Sequence, residues 1–575
     1  MYLFKIFLAA ALLTVFCTSL AQDVQLKETP ENVILKNEYL TVTFNKVKGE
    51  IREIKYDKYA NILGDNGAGY LMGPKFSMNP SVYKLIRKSP DLIEIAFDHF
   101  GTKNNLRYTL HYIIRKNTSG IYCFLVVNHK ASNPPGEYGQ TRWGLRADER
   151  YFDYHLVRDS IQGPMPSKSD LSDGDKVQDW TFKMADGTIY TKYNYADYIE
   201  GRHVHGMAGE KSGLGLFVIQ ASHEYLNGGP TKQYQNVHSG PFLINMFKCG
   251  HFLSDIRLDK TDGPVAEDWT KIHGPFLLYV NKGKNVTDAW NDAKKQSVKE
   301  INQWPYSWMN HREYPLNRGI VRGTIVLKSG PALANSMVVL AAPGSDWQSQ
   351  SKDYIFYTKT DQNGNFEVKN VRPGNYTLYA YGGNLLDQYV KNDIVVKPDS
   401  VTNLEKQVWE PQWNGQTLWQ IGRADRRTTG FKLADQKRDY GLFEKPVADL
   451  NFVIGKSKEA EDWYYAQTKR GSWNIEFDTR GPFTGDATLT IDIAGAARWP
   501  IVEVWVNNTK AGVLDGLGND ASVYRSAVAG GYYQHRQIVF PSSFLNQGKN
   551  IISLKLAKVN PKGGVMYDAI KLESH

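Results

Sequence analysis

At 575 residues the chain has room for about three to five domains. Its 41% hydrophobic and 22% charged residues describe ordinary packed cores, and 50 Gly, 24 Pro, 34 Tyr, 24 Phe and 14 Trp give the turn-rich, aromatic-rich profile of β-sandwiches. A helical bundle, a coiled coil, a disordered chain and a single α/β unit are excluded on that profile, while a formal charge of +9 permits a polyanionic partner such as an acidic polysaccharide.

In chain order, Lys5 precedes an apolar run from Ile6 to Phe16, and small residues at Ser19 and Ala21 precede polar Gln22-Asp23. This is the pattern of a secretory signal peptide over residues 1–21, too short for a comfortable membrane span. A secreted or periplasmic protein with no membrane span after signal removal is expected. Only Cys123 and Cys249 then remain, so at most one disulfide can form. From Asp23 to Trp308 the sequence reads as strands: Val33–Phe44, Leu106–Ile114 and Gly120–Asn128 show alternation with β-branched and aromatic enrichment. A helix is predicted over Asp288–Gln303, broken by Trp304-Pro305-Tyr306-Ser307-Trp308. From Arg318 to about Lys397, strand-like Gly319–Val326, an Asn363-Gly364 turn and the Val371–Ala380 segment read as a small sandwich. From Trp409 onward, Asp486–Ile493 and Asn550–Leu556 suggest a jelly roll. The predicted fold is all-β, with domains over 22–312, 313–405 and 406–575.

No Gly-x-Ser-x-Gly elbow, His-Glu-x-x-His helix or Walker loop is present. No basic run or zinc-finger spacing points to nucleic acid. Two segments concentrate chemistry. Thr141–Arg150 carries Arg142, Arg146 and Arg150, and the stretch from Tyr190 to Pro241 gathers His, Lys, Tyr and Gly-Gly-Pro turns. His203 and His205 could share a metal only from one face of a strand or from a loop, and no third ligand lies at a diagnostic spacing.

The ordered string Lys192-Tyr193, His203-Val204-His205-Gly206, His223-Glu224-Tyr225, Gly228-Gly229-Pro230-Thr231-Lys232-Gln233 and His238-Ser239-Gly240-Pro241 resembles the core of the family 4 rhamnogalacturonan lyases. The resemblance continues through Trp304–Trp308, Arg318-Gly319, Leu418–Gly422, Asp462–Gln467 and Gly564–Asp568. It implies a large β-super-sandwich followed by a fibronectin type III-like sandwich and a carbohydrate-binding-like β jelly roll. It also implies cleavage of rhamnogalacturonan I by β-elimination at the rhamnose-α-1,4-galacturonate bond, leaving a 4,5-unsaturated uronate end.

Such chemistry needs a base for the C5 proton, cations on the carboxylate and an acid for the leaving oxygen. By the resemblance, Lys192 is the base, a role that requires its neutral form. Arg142 and Arg146 would hold the galacturonate carboxylate with guanidinium forks. His238 is assigned the acid, with His205 its rival and otherwise a substrate contact. Tyr193, Tyr234 and Arg525 are further substrate-binding candidates, Arg525 from a Gly-containing loop of the last domain. No cofactor is required, and a structural calcium ion is compatible with the sequence. The expected partner is rhamnogalacturonan I, with no nucleic acid, and a monomer is expected. Two readings compete with the lyase. A hydrolase of acidic glycans would need two facing carboxylates, for which Glu224 and Asp197 are the nearest candidates. A non-catalytic pectin-binding protein would suit the two accessory domains.

Overall fold

The computed structural model describes residues 23–64, 70–72, 78–137, 141–195, 197, 200–226, 228–231, 239–240, 243–249, 264–344, 346–481, 483–528 and 530–575. Residues 1–21, read above as a leader, lie outside the described residues, as do Tyr234 and His238.

The first part of the chain is organised by a nine-stranded antiparallel sheet. Its order is Ile161–Pro164, Tyr154–Arg158, Val204–Ala208, Leu214–Ile219, Trp269–Lys282, Gly120–His129, Leu106–Arg115, Leu92–Gly101 and Val82–Lys88. Its middle strands are apolar on consecutive residues because both faces are covered. Along Gly120–His129, Ile121, Cys123, Leu125 and Val127 enter one core, while Tyr122, Phe124 and Val126 enter another. Two four-stranded sheets close the first face. One holds Asn32–Lys36 and Leu40–Asn45; the other orders Ser239–Gly240, Leu243–Cys249, Thr141–Arg146 and Tyr70–Met72. Trp143 anchors the latter, edge-on to Phe276 at 5.2 Å. The second face is closed by the helix Val286–Gln303 through Ala289, Trp290 and Ala293, and by Tyr306, Met309 and Tyr314.

Two local departures from the sequence reading have identifiable causes. The helix begins at Val286 rather than Asp288, because the Asn285 Oδ1 accepts the Asp288 N–H at 2.9 Å and caps the first turn. The Val33–Phe44 run is two strands, not one. Asn37 Oδ1 accepts the N–H groups of Tyr39 at 3.0 Å and Leu40 at 2.8 Å, which folds the chain back between them.

The second unit packs a three-stranded sheet (Asn365–Val371, Gly319–Leu327, Val401–Trp409) on a four-stranded one (Phe356–Lys359, Met337–Ala341, Gly374–Gly382, Leu385–Val396). Val321, Val338, Leu340, Leu378 and Trp409 fill the space between them. In the third unit, four strands from Gln416–Gly422, Gly564–Ser574, Asp486–Ala497 and Gln534–Pro541 face five others. Trp463, Trp473 and Tyr567 form their aromatic centre, with rings 5.0–5.9 Å apart. The fold is all-β: a large sandwich, a fibronectin-like sandwich and a carbohydrate-binding-like jelly roll.

Buried charge joins the first two units. Glu224 accepts from Arg318 at 2.6 Å and from Arg372 at 2.8 Å, and its side chain is 2% exposed. Burial alone would raise the Glu224 carboxyl, but the two guanidinium groups outweigh it and hold it below the usual range. Arg372 also lies over the Tyr354 ring at 3.7 Å and Arg318 over Trp304 at 4.5 Å. Glu200 of the first unit is shared by Arg427 of the third unit at 2.5 Å and Lys359 of the second unit at 2.7 Å.

Candidate active site

A small antiparallel sheet, Asp175–Gln178, Thr181–Lys183 and Ile189–Thr191, builds the centre of the site. Its first turn is Asp179-Trp180, and its last strand runs directly into a 3-10 turn, Lys192–Tyr195. The two turns are stitched together: Lys192 N–H donates to the Trp180 carbonyl at 3.2 Å, and the Thr181 and Thr191 hydroxyls meet at 2.8 Å. That stitching brings Lys192 Nζ to 3.3 Å from Asp179 Oδ2. The Lys192 side chain is only 9% exposed, whereas Asp179 is 57% exposed. Burial therefore works against positive charge on the lysine, and the carboxylate supports it. Tyr193, also buried, donates its hydroxyl to the same Asp179 oxygen.

Arg525 arrives from the jelly roll. Its guanidinium carbon lies 4.8 Å over the Tyr193 ring and 5.5 Å from the Tyr524 ring. Burial would raise the Asp179 carboxyl, but Lys192, the Tyr193 hydroxyl and Arg525 together hold it below its ordinary value. Burial pulls the Arg525 guanidinium down in turn. The Arg525 loop is fixed by Asp520, a buried carboxylate that accepts the N–H groups of Ser522 at 2.9 Å, Tyr532 at 2.8 Å and Ala496 at 3.0 Å, plus the Ser522 hydroxyl. Its burial pushes that carboxyl up. Gly531 has to be glycine here, since a Cβ would lie 2.1 Å from Asp520 Oδ2. Beneath the Lys192 turn, His155 stacks on Tyr195 at 3.9 Å and meets the Tyr190 hydroxyl at 2.9 Å. Burial pushes the His155 imidazole down to about 3.

The remaining candidates fall on the adjoining sheets. Thr141–Arg146 pairs with Leu243–Cys249, which pairs with Ser239–Gly240, and this last strand lies against the Lys192 turn. Trp143 and Leu145 face the core, and Arg146 is exposed on the opposite face of the strand. Arg142 pairs through its backbone with Phe247 and Met72. His238 and Tyr234 lie outside the described residues; Ser239, immediately after His238 in sequence, is on the strand against the Lys192 turn. His205 is fully buried in Val204–Ala208 of the nine-stranded sheet. His203 stacks on His223 at 4.6 Å and its Nδ1 meets the Gln220 carbonyl at 2.7 Å. Among the described residues no group of three or more His, Cys, Asp or Glu side chains is placed to hold a metal ion.

Sequence reasoning missed Asp179. An Asp at a turn carries no signal of its own, and only the folding of the small sheet sets it against the lysine. The two carboxylates singled out for a hydrolase are engaged elsewhere. Glu224 is locked between two arginines, and Asp197 takes Arg202 at 2.8 Å and Arg158 at 3.3 Å.

Comparison with known proteins places this geometry in a class. The chain matches, in order, the rhamnogalacturonate lyase family over residues 13–189, polysaccharide lyase family 4 domain II over 317–404, and domain III of the same family over 417–572. These matches define a polysaccharide lyase. A rhamnogalacturonate lyase of Dickeya dadantii is 33% identical over 516 residues, spanning 88% of this chain and 84% of that protein. Rhamnogalacturonate lyase B of Emericella nidulans is 22% identical over 95% of this chain and 96% of its own length. The chain belongs to polysaccharide lyase family 4, the rhamnogalacturonate lyases.

Proposed function

We propose that the protein is an exported lyase that cleaves the rhamnose-α-1,4-galacturonate bond of rhamnogalacturonan I by β-elimination. The observation that carries this reading is the buried Lys192 side chain, presented on a turn where the Ser239–Gly240 strand and the Arg525 loop meet. Neutral Lys192 removes the C5 proton of galacturonate. The resulting negative charge spreads into the uronate carboxylate, which Arg142 and Arg146 neutralise with paired N–H donors. The C4–O bond breaks as His238 delivers a proton to the departing rhamnose oxygen, and the product keeps a 4,5-double bond. Tyr193, Tyr234 and Arg525 line or support the substrate groove; His205, fully buried in the nine-stranded sheet, is not a substrate contact. The step draws on the protein's own cations and proton carriers, so it asks for no cofactor; a structural calcium ion would not enter it.

The 1–21 leader supports export to the periplasm or medium, and among the described residues no helix is long and apolar enough to cross a membrane. The division into 22–312, 313–405 and 406–575 and a monomeric state belong to the same proposal. Incubation with debranched rhamnogalacturonan I, followed by ultraviolet absorbance of the unsaturated uronate, tests it. Absorbance that rises with the wild type and not with Lys192→Ala supports the assignment. Cleavage that produces reducing ends without absorbance would refute elimination.

A further inference from the structure

Two partly exposed tryptophans lie in turns next in sequence to residues of this neighbourhood: Trp180 follows Asp179, and Trp499 follows Arg498, whose guanidinium lies over Tyr524. Trp180 is 39% exposed and Trp499 is 49% exposed. Both have a left-handed backbone, φ 44° at Trp180 and φ 52° at Trp499, and Arg498 beside the latter has φ 61°. A bulky residue at positive φ is a strained outlier. Glycine or asparagine would relieve that strain in either turn. Exposing an indole also forfeits the burial that usually justifies one. Among the described residues neither ring belongs to a hydrophobic core, and Trp180 meets the edge of the Phe182 ring at 6.0 Å.

The surroundings hold the strained pair in place. Arg498 N–H donates to Asn519 Oδ1, Trp499 N–H donates to the Gly518 carbonyl, and Asn560 Nδ2 donates to the Arg498 carbonyl, each at 2.9 Å. The Arg498 guanidinium lies 4.9 Å from the Tyr524 ring, next to Arg525. Lys562, from the segment that also carries Asn560, reaches across to Gln178 at 3.4 Å, the residue before the Asp179-Trp180 turn. The two tryptophans thus belong to turns linked through the Asn560–Lys562 segment at a seam between the first and third units.

From this we infer that Trp180 and Trp499, with Arg498, form outer subsites that grip a uronate-containing glycan chain beyond the bond being cleaved. The C–H face of a pyranose ring presents partly positive hydrogens to the negative face of an indole. Arg498 adds a fork suited to a uronate carboxylate. Exposed, pre-ordered indoles present that contact area without a further ordering cost on binding. The inference rests on the lyase reading and extends it to residues outside the reacting centre.

The test uses the full-length enzyme and its Trp499→Asn and Trp499→Phe variants on rhamnogalacturonan oligosaccharides of graded length and on the polymer. Asn tolerates the left-handed backbone, so the fold is retained while the ring is removed. Trp499→Asn is expected to lose about tenfold in kcat/KM on long chains, through KM; tenfold corresponds to about 1.4 kcal/mol of lost contact. The loss shrinks to within about twofold on the shortest cleaved oligosaccharide, and Trp499→Phe recovers most of the long-chain activity. A loss equal at every length, or none on the polymer, overturns the inference. Were the wild type to show no elimination, the lyase reading would fall first. Retardation in gels containing the polymer would then decide the platform separately: retained by the wild type and lost in Trp499→Asn supports it, and equal migration overturns it.

Discussion

Replacing Asp179 by Asn removes the negative charge facing Lys192 while keeping a side chain of nearly the same shape for the Tyr193 hydroxyl. At 3.3 Å, two unit charges attract by about 5 kcal/mol at an effective dielectric of about 20. Asp179 is 57% exposed, so solvent screening reduces that to on the order of 1 kcal/mol. The sign follows from which form the anion favours: it stabilises ammonium, so its loss favours the neutral amine that the elimination needs. One pH unit corresponds to about 1.4 kcal/mol, so the acid limb of kcat/KM should move down by close to one unit in Asp179→Asn. Initial rates of unsaturated-uronate absorbance across that limb measure it. The plateau at higher pH reports separately on positioning, because Asp179 also holds Tyr193 and faces Arg525. A limb that stays where it is, or climbs, would refute the placing of the base at Lys192 under Asp179's influence.

Glu224→Gln leaves Arg318 and Arg372 buried without their carboxylate, and should lower stability by about 3–5 kcal/mol in denaturant unfolding; a change under about 1 kcal/mol would show that the network is not what joins the first two units. His155, held down to about 3 by burial, binds its proton in the unfolded chain near pH 6.5 but not in the folded one, so its contribution is present above that pH and lost as pH falls toward 3. The stability of the wild type relative to His155→Gln should therefore drop by about 2 kcal/mol between pH 7 and pH 5, and a difference independent of pH would contradict a neutral buried imidazole. In the outer subsites, Trp499→Asn should separate long from short substrates as described above.

Much of the architecture was legible because strand periodicity and turn chemistry are local. Leu106–Arg115 and Gly120–His129 emerge within a residue or so of where alternation and aromatic content put them. What escaped was decided by side-chain contacts: Asn285 lengthened a helix and Asn37 folded one predicted run into two strands. Lys192 was singled out only through an ordered resemblance, since a lysine before a tyrosine is otherwise unremarkable, and Arg525 only from a Gly-containing loop where the family's groove was expected to extend. Asp179 and the Arg498-Trp499 turn could not be read at all. Their meaning comes from what lies across the fold: an ammonium for one, Tyr524 and Asn519 for the other. Glu224 was visible as a carboxylate, but its two arginine partners come from the second unit and turn it from a reactive candidate into a structural one.

The most direct test of the account is the ultraviolet absorbance of the unsaturated uronate when purified protein meets debranched rhamnogalacturonan I, with homogalacturonan in parallel and Lys192→Ala as the control. Absorbance is expected on rhamnogalacturonan I alone, abolished in Lys192→Ala while its unfolding transition stays close to that of the wild type. New reducing ends without absorbance, or undiminished elimination in Lys192→Ala, would contradict it.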